Sequence, residues 1–126
     1  MTPAELWRDR LRESLLSARK ARDTNRTAAI RSALSAIDNA ETPQADQTDT
    51  RIGGAIAGAV SGVGSTEVAR RVLSDDEVRD LLRAEIDERL SAASGYIANG
   101  HHERASELQS QAAVLAQVLG QPQEGV

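Results

Sequence analysis

A chain that must close a core with almost no aromatic rings is pushed towards helices. This one has no phenylalanine, one tryptophan and one tyrosine in 126 residues, so its interior has to be built from Ala, Leu, Ile and Val. Strand cores lean on aromatic and β-branched side chains, whereas alanine is the strongest helix former, and a sandwich or barrel is disfavoured accordingly. At 40% hydrophobic and 27% charged, the composition is that of a soluble single domain, long enough to bury about two-thirds of its unfolded surface. With no cysteine, disulfide frameworks, thiolate metal sites and a Cys nucleophile are all excluded. A cytoplasmic address fits that usage, and the polar, charged opening from Met1 to Arg12 does not read as a signal peptide.

The apolar spacing predicts four helices. Thr2-Pro3-Ala4-Glu5 has the form of a helix start, with Thr2 as N-cap, Pro3 at the first helical position and Glu5 closing a capping box. Trp7, Leu11, Leu15 and Ala18, with Leu6 alongside, make one stripe down a first helix ending near Arg22. Asp23 or Thr24 caps a second helix, in which Ile30, Ala33, Leu34, Ile37 and Ala40 repeat the stripe before Pro43. Ser74-Asp75-Asp76-Glu77 is a second capping box, with three acids where the helix dipole favours them. Behind it Val78, Leu81, Leu82, Ile86, Leu90, Ala93 and Ile97 mark a third helix, stopped at Asn99-Gly100, where Gly100 suits the left-handed position past a helix end. Ala105, Leu108, Ala112, Leu115 and Leu119 mark a fourth, which Gly120 and Pro122 end. Turns this short imply an all-α fold of two antiparallel hairpins.

Residues 42–72 break the pattern. Five of the nine glycines lie between positions 53 and 64, each costing about 1 kcal/mol against alanine inside a helix, so the stretch is expected to be a flexible Gly-rich loop. Residues 120–126 are expected to be a disordered tail of the same single domain. Within the loop, Ala59–Thr66 approaches a phosphate-binding loop but has Ser65 in place of the lysine and Ala59 in place of the leading glycine. Gly54, Gly58 and Gly62 have the spacing of close membrane-helix contacts, yet the apolar run Ile52–Val63 falls well short of the roughly 20 residues that span a bilayer. No stable membrane insertion is expected.

No catalytic set can be assembled. His101 and His102 are adjacent, so on a helix their side chains diverge by about 100° and cannot share a metal as residues four apart do. Neither metal nor cofactor is expected, and the abundant acids lie where exposed faces and helix N-termini place them. Charge is more informative. The net charge of −4 is the sum of +3 over residues 1–40 and −7 over the rest, and fourteen of the fifteen basic residues are arginine. Arg19, Lys20 and Arg22 close the first helix, and Arg26 and Arg31 follow on the second, concentrating cations near one hairpin tip. Such a cluster serves either as a solvated, dipole-complementing face, with Asp23 as an ion-pair partner, or as a set of phosphate contacts to RNA.

These residues also carry a family likeness. Lys20-Ala21-Arg22-Asp23, then Arg26, Ile30-Arg31 and Ser35-Ala36-Ile37-Asp38-Asn39-Ala40-Glu41, resemble the KARD-x-x-R…LR…AIxNAE pattern of the GatB/YqeY family. Leu73-Ser74-Asp75-Asp76-Glu77-Val78, the Glu85 and Arg89 region, and Ala98-Asn99-Gly100 with Glu103 to Glu107 resemble its LSDEEV…KEI..R…AGR.DL..KE segment. The resemblance covers most of the chain outside residues 42–72. It includes neither the Gly-rich insertion nor the small three-helix part with which family members continue. The family comprises small standalone proteins and the tail of the B subunit of aspartyl/glutamyl-tRNA amidotransferase.

The resemblance implies a helical module that helps hold tRNA while a separate core transfers glutamine-derived ammonia. An assignment to carbon–nitrogen ligases with glutamine as amido donor would follow from that likeness, without a catalytic centre in this chain. The expected partners are tRNA and a translation- or amidotransferase-related protein. Arg19, Lys20, Arg22, Arg26 and Arg31 are the expected RNA contacts, while Asp23, Asn39, Ser74, Glu77 and Gly100 are expected to serve the fold as cap and turn residues. The competing expectation is a protein-interaction module with no nucleic-acid role, using apolar surface left exposed on the third or fourth helix. The sequence leaves the oligomeric state open.

Overall fold

The structure, a computed structural model, describes residues 1–42 and 70–120. Among these residues it is all-α, with α1 at Pro3–Ala21, α2 at Thr24–Glu41, α3 at Asp75–Ala98 and α4 at His102–Gly120. The phosphate-loop-like segment Ala59–Thr66, the glycines between 53 and 64 and residues 121–126 of the expected tail 120–126 lie outside the described residues, while Gly120 is the last residue of α4 rather than part of a tail.

Each end is fixed locally. Thr2 Oγ1 accepts from Glu5 N at 3.2 Å while Glu5 Oε1 accepts from Thr2 N at 2.9 Å. Ser74 and Glu77 repeat that reciprocal pair at 3.1 and 2.8 Å. The turn between α1 and α2 is tighter than the spacing alone requires. Arg22 caps α1 in the left-handed region at φ 59°, the Asp23 N–H donates back to Ala18 O at 2.9 Å, and the Asp23 carboxylate accepts from Arg26 N at 3.0 Å. At the other hairpin, Gly100 has φ +81° and His101 N donates to Tyr96 O at 2.8 Å.

The two hairpins pack across one another. α2 lies against α1, α3 and α4, and α1 also meets α3, while α1 and α4 occupy opposite corners and do not approach. The core is shared by all four helices: Ala4, Trp7 and Leu11 of α1, Ala29, Ile30, Ala33 and Ile37 of α2, Val78 and Leu82 of α3, and Val114, Leu115 and Val118 of α4. Leu73, just ahead of α3, completes it. Trp7 is the largest buried side chain, and its Nε1 donates to Asp75 Oδ1 at 2.7 Å, joining the starts of α1 and α3. The Arg10 and Arg79 guanidinium carbons stand 5.1 and 5.3 Å from the indole centroid.

The second helix ends before Pro43, as the spacing predicts, with Thr42 as its cap, and Arg71 N donates to Glu41 O at 2.9 Å, laying residues 70–73 on the end of α2. Two expectations change. Leu6 is 45% exposed, because it falls one residue off the stripe set by Trp7 and Leu11. Leu90 and Ile97 of the α3 stripe are 46% and 44% exposed rather than buried. The reason is length. α3 has 24 residues against 19 and 18 in α1 and α2, about 36 Å against 28 and 27 Å at 1.5 Å per residue, so it runs past the first hairpin. Beyond that point α3 and α4 pack only on each other, through Ala93, Ala105 and Leu108. No helix among the described residues is long and apolar enough to cross a membrane.

Candidate nucleic-acid interface

The cations singled out in the sequence divide into three groups. Arg19, Lys20 and Arg22 stand together, exposed, on the last turn and cap of α1. Their position follows from local structure: the final turn leaves carbonyls without intrahelical partners, and positive charge there complements the dipole. None of the three forms an ion pair among the described residues. Arg26 lies at the same tip but is engaged, with Nε 3.7 Å from Asp23 Oδ2 and Nη2 donating to Gln117 Oε1 at 3.3 Å. It ties the start of α2 to the end of α4. Arg31 is elsewhere. Five residues past Arg26 it is turned by about 140° around α2, and it lines a polar groove with Ser35, Asn39, Glu85, Glu88 and Arg89.

An open groove of about 610 Å³ runs along α1 to this tip, lined by Arg10, Ser14, Ser17, Ala21, Asp23 and Arg26, with Glu13 at its side. Most other arginines are neutralised. Arg79 pairs with Asp75 at 2.7 Å, Arg83 with Asp80 at 2.9 Å and Arg104 with Glu107 at 2.8 Å. Hydrogen bonds from Arg79 and Trp7 hold the Asp75 carboxyl below its ordinary range, outweighing its partial desolvation. The tip of α1 is therefore where positive charge is least compensated by the described side chains.

The residues expected to serve the fold do so in different ways. Asp23, Ser74 and Glu77 are caps, and the backbone N–H of Ser74 holds the Glu77 carboxyl below its ordinary range. Gly100 takes the left-handed turn. Asn39 is exposed; its carbonyl accepts from Thr42 N at 3.2 Å.

Two buried polar clusters escaped the sequence reading. Glu41 is only 8% exposed and accepts from Arg8 Nη2 and from Arg70 Nη2, the latter at 3.1 Å, while Arg8 also reaches Asp38 at 3.2 Å. Burial pulls the Arg8 pKa down, but hydrogen bonds to Glu41 and Asp38 outweigh it and hold the pKa above its ordinary value. Farther along, Arg89 Nε donates to Gln111 Oε1 at 3.1 Å, Arg89 Nη1 to Glu85 Oε1 at 2.8 Å, and Gln111 Nε2 to Asn25 Oδ1 at 3.4 Å. This chain ties α2, α3 and α4 where the bundle narrows to the projecting hairpin. A signal was present: Arg8 lies four after Ala4 and three before Leu11, Glu41 four after Ile37, and Gln111 three after Leu108, all on apolar stripes.

His101 and His102 are exposed, and the His101 ring meets Tyr96 edge-on with centroids 6.0 Å apart. No group of three or more metal-ligating side chains occurs among the described residues. Comparison with protein-family models, with curated proteins and with solved structures finds no match for this chain.

Proposed function

We propose that the chain is a non-catalytic helical adaptor of the GatB/YqeY type, which contacts the phosphate backbone of tRNA through the α1–α2 tip and works beside a translation- or amidotransferase-related protein. One observation carries the reading: Arg19, Lys20 and Arg22 are exposed together without a carboxylate partner among the described residues. Guanidinium and ammonium groups so placed exchange hydration for phosphate oxygens at little desolvation cost. Arg26 supports the tip from its bridge to Gln117, and Arg31 contributes only to an RNA that wraps around α2. The resemblance of Lys20-Ala21-Arg22-Asp23 and the residues after it to the family pattern supports the same site. No bond-making step is proposed for this chain.

Filter binding with bulk tRNA tests the proposal. Arg22 needs a replacement that tolerates positive φ, so the informative variant is Arg19→Ala, Lys20→Ala, Arg22→Asn. It should bind at least tenfold more weakly at low salt, and the wild-type log–log salt slope of about −2 to −3 should shrink towards zero. Arg83→Ala, on α3, should bind as wild type. Absence of tRNA binding at low salt, or an unchanged triple variant, would overturn the proposal.

A further inference from the structure

We propose that Glu41 is a conformational clasp between the two hairpins, which recognise each other as separate pieces and stay assembled when the chain between them is shortened or cut. The chain leaves the bundle at the end of α2 and rejoins it at the same place. Arg71 N donates to Glu41 O at 2.9 Å and Arg71 Nη1 to Ala40 O at 3.3 Å, which sets the departing and returning backbones side by side. The Glu41 carboxylate, 8% exposed, accepts from Arg70 Nη2 at 3.1 Å and from Arg8 Nη2, so one side chain ties α1, α2 and the returning chain.

The return is also fixed from the side of α3. Arg71 Nη2 lies 3.5 Å from Glu77 Oε2 in the first turn of that helix, and Leu73 enters the shared core one residue before the Ser74 cap. Away from the clasp the hairpins meet across that core and through the pairs Trp7–Asp75, Arg26–Gln117 and Asn25–Gln111. Each of these contacts joins α1 or α2 to α3, α4 or the residues just ahead of α3, without a residue between 43 and 69.

The link between the hairpins then acts on folding through chain entropy. Closing a loop costs more the longer it is, so a shorter link raises stability. The neighbouring backbones at Glu41 and Arg71 are within reach of four residues, which span up to about 13 Å. Cutting the link replaces an effective concentration of about 1 mM by the real one. With a folded-to-unfolded ratio of at least about 5,000, the cut pieces pair with a dissociation constant below about 1 μM. The clasp uses none of Arg19, Lys20 and Arg22, so its failure and that of the tRNA reading are separable.

Replacing residues 43–69 by Gly-Ser-Gly-Ser in the otherwise full chain should raise the urea midpoint and keep the amides of Leu11, Ile30 and Leu82 protected. A protease recognition sequence inserted after Gly54 and cut in the native protein should give two pieces that co-elute at about 10 μM and separate on dilution. In the cut protein Glu41→Gln should weaken that pairing at least tenfold, whereas Arg83→Ala, whose partner Asp80 is on the same helix, should leave it unchanged. A lower urea midpoint in the shortened chain, resistance of the native protein to the cut, separation of the pieces at about 10 μM, or unchanged pairing in Glu41→Gln would each overturn the proposal.

Discussion

Around Trp7 four helices supply the walls; around Ala93 only two do. The body of the bundle buries Trp7, Leu11, Ile30, Ile37, Leu73, Leu82 and Leu115 almost completely, whereas the projecting hairpin closes on Ala93, Ala105 and Leu108. Small residues let two helices approach closely, but they remove little apolar surface from water, at about 25 cal/mol per Å². The projecting end is therefore held as a cantilever, its helices ordered because their other ends are anchored in the body. The Arg89–Gln111–Asn25 chain marks the boundary, and the Tyr96, His101 and Arg104 contacts secure only the far turn.

The largest expected effect separates the two regions. Trp7→Ala removes the biggest buried side chain and the hydrogen bond to Asp75, and should cost about 3–5 kcal/mol, near the whole stability of a domain this size. Leu108→Ala should cost about 2 kcal/mol at most and act locally, raising amide exchange over residues 90–108 while the body stays protected. Equal loss of urea stability in the two variants would show that the projecting hairpin and the body are one cooperative unit.

A smaller effect sharpens the account of the body. Glu41→Gln keeps the shape but withdraws the charge from Arg8, and urea denaturation should show a loss of about 2 kcal/mol, limited because Asp38 remains 3.2 Å away. Replacing the pair together, Arg8→Leu with Glu41→Leu, should recover most of that loss, because a buried ion pair repays its desolvation only in part.

The smallest effect is a pH dependence. The folded Asp75 carboxyl lies below its unfolded value, so its contribution is fully present above about pH 4 and is lost as pH falls through the lowered value. Urea midpoints between pH 6 and 2.5 should fall less steeply in Asp75→Asn than in the wild type. An identical acid limb would show that the bonds from Arg79 and Trp7 do not favour the ionised Asp75 carboxyl in the folded protein.

Much of this body was legible in the spacing of apolar residues. The stripes through Trp7, Ile30, Val78 and Leu115 predicted the helices and their inner faces, and capping residues predicted three of the starts. Leu90 and Ile97 were misplaced because a stripe says only which face is apolar, not whether a neighbour is long enough to cover it. The pairing of Arg8 with Glu41 was not legible because each is an ordinary charge in its own helix; their partnership joins positions 33 residues apart. The candidate interface was legible as a run of cations. Its division into an unpaired group at Arg19, Lys20 and Arg22, an engaged Arg26 and a distant Arg31 was not, since helix rotation and the partner Gln117 on α4 decide it.

By itself the sequence determined the helical class, the caps at Thr2 and Ser74, a second-helix cap at Asp23 or Thr24, and the left-handed turn at Gly100, because these depend on interactions within a few residues. Tertiary structure decided which charges are neutralised, where Glu41 finds two arginines, and how far α3 outruns the first hairpin. The physical reason is that capping and periodicity act within one or two helical turns, whereas burial and ion pairing depend on what another helix brings alongside.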